Sequence, residues 1–214
     1  MSSESHKQRV RNFQRSHGLT VDGIDGPKTW DVINSLSAKC SMHPEPKSVK
    51  LEKGYRTNQL SESELQAKYG RAGNEAVLDW FDMPFTMYLY GDKSHPISQH
   101  RCHKRMVKPL EQLLKAWLEE LGIDFIRKHR LDHYYGCYNN RNIRNGTSKS
   151  RHARGIAIDI DAANNSNRSK WDPKKIGQSG YATMPVEAIN IANRLGWICG
   201  ATAWGRDAMH FQLD

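Results

Sequence analysis

Long apolar runs are missing from this chain. Its 214 residues hold no stretch approaching the ~20 apolar residues that a membrane-crossing helix needs, so no span is expected. The N-terminus MSSESHKQRVRNFQ has no apolar segment after its first charges, which excludes a Sec signal peptide and leaves a protein made in the cytoplasm. Cysteine is scarce and scattered. Cys40, Cys102, Cys137 and Cys199 form no C-x-x-C pair, so a thiolate zinc site is not signalled and the four read as reduced thiols. There is no internal repeat and no low-complexity tract, so no repeat architecture is expected.

What is abundant is positive charge. Lys and Arg total 32 against 23 Asp and Glu, a net of +9, with a pI near 9.4 and a mean hydropathy of −0.77. Such a chain is drawn to a polyanion: nucleic acid, an anionic membrane, or a cell envelope rich in phosphates and carboxylates. Charge alone does not choose among them. The 37% of hydrophobic residues can supply the core of one ordinary domain and a small accessory one.

The chain divides into three stretches. Residues 1–40 read as a helical segment: RVRNFQRSHGL, the turn-rich TVDGIDGP and KTWDVINSL place Val10 and Phe13, then Trp30, Ile33 and Leu36, at helical spacing, with Gly23, Asp25 and Gly26 between them. Residues 41–63 lose periodicity and gather Pro, Lys and Ser, as linkers do. Residues 64–214 are mixed. FTMYLY alternates like a strand; Val107, Leu110, Leu113, Leu114, Trp117, Leu118 and Leu121 form an amphipathic stripe closed by Gly122. Pro109 either opens that helix or kinks it. GIAIDID and MHFQL alternate at period two, WIC is a third strand candidate, and PVEAINIANRLG is a short helix. Strands and helices mix without a βαβ repeat, which predicts an α+β domain built on a small antiparallel sheet with flanking helices, preceded by a short all-α segment.

The densest chemistry lies in SRHARGIAIDID, Ser150 to Asp161. A loop carrying His152 and a strand carrying Asp159 can bring imidazole and carboxylate to one point. On that strand Gly155, Ala157 and Asp159 share one face while Ile156, Ile158 and Ile160 point into the core. In MHFQL, Met209, Phe211 and Leu213 are expected inward, with His210 and Gln212 on the other face. Two imidazoles and a carboxylate are a ligand set that zinc accepts, leaving a fourth position for a water whose pKa the metal lowers toward ~7. Asp161, close to Asp159 and on the same face of that strand, reads as an outer or surface group. His100 and His103 read as solvated groups at the basic start of a helix.

S-x-H-x-x-G-x-A-x-D at Ser150 to Asp159, followed by W-G-x-D-x-M-H-F-Q at Trp204 to Gln212, resembles the VanY-like zinc D,D-carboxypeptidases and phage L-alanyl-D-glutamate endopeptidases. The likeness covers residues 63–214 and includes YYGCYNNR, similar to the segment that delivers the family's arginine. It implies zinc as cofactor, with His152, Asp159 and His210 as ligands and Asp207 as the catalytic carboxylate. Arg141 falls on the family's arginine, with Arg144 as its rival, and Ser150 and Trp204 fall on substrate-contacting positions. The N-terminal VRNFQRSHGLTVDGIDGPKTWDVI resembles the latter part of a small peptidoglycan-binding domain, which implies wall-binding through Asp22, Gly23, Gly26, Thr29 and Trp30.

Together the two resemblances imply a phage-type endolysin, a monomer whose partner is peptidoglycan rather than nucleic acid, acting on the wall after release. Asp three residues before the last histidine favours the bond from L-Ala to D-Glu. A D-Ala-D-Ala carboxypeptidase and a noncatalytic wall-binding or nucleic-acid-binding protein are the alternatives.

Overall fold

In the computed structural model, which describes residues 3–24, 28, 29, 32 and 49–214, the chain divides into two units, Met1–Pro44 and Glu45–Asp214. In the first, helix α1 (Ser3–Ser16) ends where Gly18 turns left-handed and the Leu19 N–H returns to the Gln14 carbonyl. Gln14, buried, gathers the following turn onto α1. Its Nε2 faces Asp22 Oδ1 at 2.8 Å, the Ile24 carbonyl at 2.9 Å and Thr29 Oγ1 at 3.2 Å, while its Oε1 accepts from the Gly23 N–H. Of the expected second helix, Lys28, Thr29 and Val32 are helical. Asp25, Gly26, Trp30, Ile33, Leu36 and Cys40 lie outside the described residues, as do residues 41–48.

The second unit is α+β. Helix α2 (Glu62–Tyr69) starts with a reciprocal cap between Ser61 and Glu64. Strands β1 (Leu78–Leu89) and β2 (Pro96–His103) pair antiparallel, with a bulge between Asp82 and Met87. The long helix α3 (Lys104–Lys128) follows, and β3 (His133–Tyr134) returns to the end of β1 in parallel. Among the described residues the expected single antiparallel sheet is therefore two sheets of three strands. The first includes a parallel pair, which the α3 crossover makes possible. The second has β6 (His210–Gln212) at its centre, antiparallel to β4 (Ala157–Asp159) and β5 (Ile198–Cys199). A bridge between Tyr134 and Ile160 joins the two sheets.

Along α3 the apolar stripe is buried: Leu110, Leu113, Leu114 and Trp117 are each at most 1% exposed. Trp117 sets its ring edge-on to Phe211 at 5.6 Å and donates to the Ala188 carbonyl, tying α3 to β6 and to helix α4 (Val186–Arg194). Pro109 neither opens nor ends the helix. It lies in the second turn, because the start is set earlier by His103, whose Nδ1 accepts from the Arg105 N–H. Gly122 (φ 79°, ψ 160°) interrupts the helix, which resumes and runs to Lys128.

Several expectations are corrected. His103 is not solvated: it is 2% exposed and its Nε2 donates to the Tyr69 carbonyl. Half-buried His100 packs against the Tyr134 ring. Asp161 is neither a surface group nor a continuation of the Asp159 face. The strand ends at Asp159, and Asp161 turns left-handed (φ 46°), fully buried and bonded to Arg130 and Asn164. Residues 49–60, within the stretch read as linker, lie on the second unit. Asn190 bonds both the Glu52 N–H and the Lys50 carbonyl, and the Leu60 N–H donates to Asp214. Among the described residues no helix is long and apolar enough to cross a membrane, and Cys102, Cys137 and Cys199 are free and buried.

Candidate metal centre and cleft

His152 rides on a short 3-10 turn, Arg151–Arg154, capped by the Ser150 hydroxyl, which accepts from the His152 N–H. Gly155 ends that turn at φ 67°, and a Cβ there would meet the His103 backbone nitrogen and a Leu78 methyl, each at 2.9 Å. Only glycine fits both the dihedral and the space. Two residues later β4 begins, and its antiparallel register sets Asp159 directly opposite His210 on β6. Cross-strand partners face each other at close range. Turn and strand pair therefore converge on one point.

The geometry there is narrow. His210 Nδ1 lies 3.0 Å from Asp159 Oδ1, His152 Nε2 lies 3.2 Å from Asp159 Oδ2, and the two ring nitrogens are 3.3 Å apart. The outer nitrogens are both committed. His152 Nδ1 donates to the Cys137 carbonyl at 2.7 Å, and His210 Nε2 donates to Gln212 Oε1 at 3.0 Å. In the neutral rings each inner nitrogen is thereby left with a lone pair, the arrangement that outer-shell partners impose on metal-ligating histidines. Tetrahedral zinc with ligands at about 2.0–2.1 Å has ligand–ligand edges of about 3.3 Å, which the three separations match. His152, Asp159 and His210 form a cluster that could hold a metal ion. Electrostatics agree. Burial works to raise the Asp159 pKa, but His152 and His210 outweigh it and hold the carboxylate below its ordinary range. Burial likewise opposes protonation of His210, and the Asp159 carboxylate overcomes it. The cluster attracts positive charge.

Asp207 sits beside the cluster in a left-handed conformation (φ 57°). Its carbonyl accepts from the His210 N–H, while its Oδ1 is buried without a hydrogen-bond partner among the described residues. Burial pushes its pKa up, opposed by His210 and, more weakly, by Arg141. A cleft of about 780 Å³ opens over these groups, lined among others by Arg141, Arg144, Ser150, Trp204 and Met209. Met209, expected in the core, lines this cleft instead, because β6 starts only at His210. The Trp204 ring stands 5.7 Å from the His210 ring. Arg141 is at the base of its loop, where its carbonyl accepts from the Ser150 N–H, whereas Arg144 is at the tip. Buried Ser150 caps the His152 turn, a role the sequence did not suggest. Sequence reasoning also missed Cys137, whose contribution is a backbone carbonyl, and Arg168, which lines the cleft from a distant turn. Neither leaves a local signal.

Comparison with known families bears on this geometry. Residues 144–213 match the family model described as D-alanyl-D-alanine carboxypeptidase. The matched stretch contains His152, Asp159, Asp207 and His210, and it begins at Arg144, beyond Arg141. Residues 2–33 match the model of a peptidoglycan binding domain. That stretch spans Asp22, Gly23, Gly26, Thr29 and Trp30, of which Asp22, Gly23 and Thr29 hold the turn onto Gln14. No curated protein and no solved structure matched the chain. The two matches support a peptidoglycan-binding unit followed by a peptidase domain.

Proposed function

We propose that this protein is a zinc-dependent peptidase that hydrolyses peptide bonds in the stem peptides of peptidoglycan. The observation that carries the reading is the convergence of three lone-pair donors at tetrahedral spacing beside a carboxylate whose Oδ1 is buried and has no partner among the described residues. His152, Asp159 and His210 would hold the zinc ion, which would supply the Lewis acidity that makes water a nucleophile at neutral pH. Asp207 takes the proton released as that water attacks and hands one to the departing amine, a role suited to a carboxylate whose pKa is raised and whose Oδ1 is uncommitted. Arg141 offers a cationic fork to the substrate carbonyl as negative charge develops on it. Ser150 orients the His152 turn, and Trp204 walls the cleft beside His210.

The favoured bond is that between L-Ala and D-Glu, supported by Asp rather than Glu three residues before His210. A second reading, release of terminal D-Ala by carboxypeptidase action, is favoured by the description of the family model that matches residues 144–213. The N-terminal unit, matched to a peptidoglycan binding domain, is the wall-targeting part of a phage-type endolysin. Digestion of defined muropeptides with and without a chelator, read by mass spectrometry, tests all of this. Products split between L-Ala and D-Glu only without chelator support the first reading, loss of D-Ala alone supports the second, and unchanged substrates in both arms refute the peptidase.

A further inference from the structure

Behind the metal cluster lies a second network. The Asp214 side chain is fully buried. Its carboxylate accepts from Gln212 Nε2 at 2.9 Å, from Arg151 Nε at 3.0 Å and Nη2 at 2.9 Å, and from the Leu60 N–H at 2.7 Å. Arg151 Nη2 also donates to the Leu60 carbonyl. Two of these partners lead to the metal cluster. Arg151 adjoins His152 in the same 3-10 turn, and Gln212 Oε1 accepts from His210 Nε2.

The donor and acceptor chemistry along this path has one consistent solution. A carboxylate only accepts, so the Gln212 amide must turn its NH2 toward Asp214 and its oxygen toward His210. An oxygen there draws the proton of the neutral ring onto His210 Nε2, against the pull of the Asp159 carboxylate 3.0 Å from Nδ1, and so favours the tautomer whose Nδ1 lone pair is free. With the amide reversed, an NH2 would face Nε2 and favour the opposite tautomer, which points a proton at the place of the metal. We infer that Asp214 is a positioning residue for the metal centre: through Gln212 it selects the His210 tautomer that can bind zinc, and through Arg151 it anchors the turn that presents His152. This rests on the reading of His152, Asp159 and His210 as zinc ligands. Leu60 completes the carboxylate's shell, so the segment before α2 is part of the same clamp.

The test uses the full chain with Asp214→Asn and, separately, Gln212→Leu, which leaves the Asp214 contacts to Arg151 and Leu60 in place. Near-UV circular dichroism reports folding, competition with a chromophoric chelator gives the zinc dissociation constant, and long-range proton–nitrogen correlation at alkaline pH reads the imidazole tautomers of the chelated protein. The expected result is zinc binding weakened by about 10- to 100-fold in both variants, the range for loss of an outer-shell partner, with a smaller share of His210 in the Nε2–H tautomer than in the wild type. Wild-type zinc affinity together with an unchanged tautomer in the folded variants overturns the inference. The same holds if Asp214→Asn fails to fold while Gln212→Leu binds zinc normally. A wild-type protein that binds no zinc refutes the metal reading itself, a result distinct from intact binding that the variants leave unchanged.

Discussion

Gly200 touches no ligand, yet changing it should move the chemistry. A Cβ built at this glycine would stand 2.2 Å from the Asp207 carbonyl oxygen and 3.0 Å from that of Arg206. Real Cβ contacts essentially never fall below 3.0 Å, so Gly200→Ala forces the two backbones apart by about 0.8 Å. The displaced residue is the one proposed as the general base, and the Asp207 carbonyl is also the acceptor for the His210 N–H. A misplacement of about 1 Å can cost about 100-fold in rate, or about 2.7 kcal/mol of transition-state stabilisation. Gly200→Ala should therefore lower kcat by one to two orders of magnitude while zinc affinity falls much less, since His152 and Asp159 lie on other elements. Steady-state kinetics on a defined muropeptide, alongside the zinc dissociation constant and the urea midpoint, separate these effects. A folded variant with kcat within threefold of wild type would refute the claim that the Asp207 position governs turnover.

Two further outcomes are expected. Asp207→Asn should retain zinc and lose about 100- to 10,000-fold in kcat, whereas His152→Ala should lose metal and activity together; near-normal turnover in the former would remove Asp207 from its assigned role. Acid should also weaken the fold through His103. Burial, with Arg105 and Lys104 adding, outweighs the Tyr69 hydrogen bond and lowers its pKa. Its contribution is thus fully present above the unfolded value of about 6.5 and is lost as pH falls through the lower folded value. Between about pH 7.5 and 5.5 the chelated wild type should lose more stability to urea than His103→Asn, which can still cap α3; parallel pH profiles would contradict this.

Much of the metal cluster was legible because its signals are local. Period-two alternation in GIAIDID puts Asp159 on the face opposite the core isoleucines, and alternation in MHFQL separates His210 from Phe211. The same rule failed where the strands stopped. It placed Asp161 with Asp159 and Met209 with the core, but β4 ends at Asp159 and β6 begins at His210, and alternation has no force beyond a strand's ends. The stripe on α3 was readable for the same local reason, whereas the helix start depended on His103, buried by an element 34 residues earlier in the chain.

Residue types and short-range sterics decided which ligand kinds this protein can offer, that glycine must stand at 155, and which faces of its helices are apolar. Those effects act over a few residues and are written in the local order of side chains. Tertiary structure alone decided that Asp159 lies opposite His210, that the Cys137 carbonyl and Gln212 leave the inner imidazole nitrogens free, and that Asp214 ties Arg151, Gln212 and Leu60 together. A lone pair's direction is set by what the opposite nitrogen meets, and for His152 and His210 the fold supplies that partner.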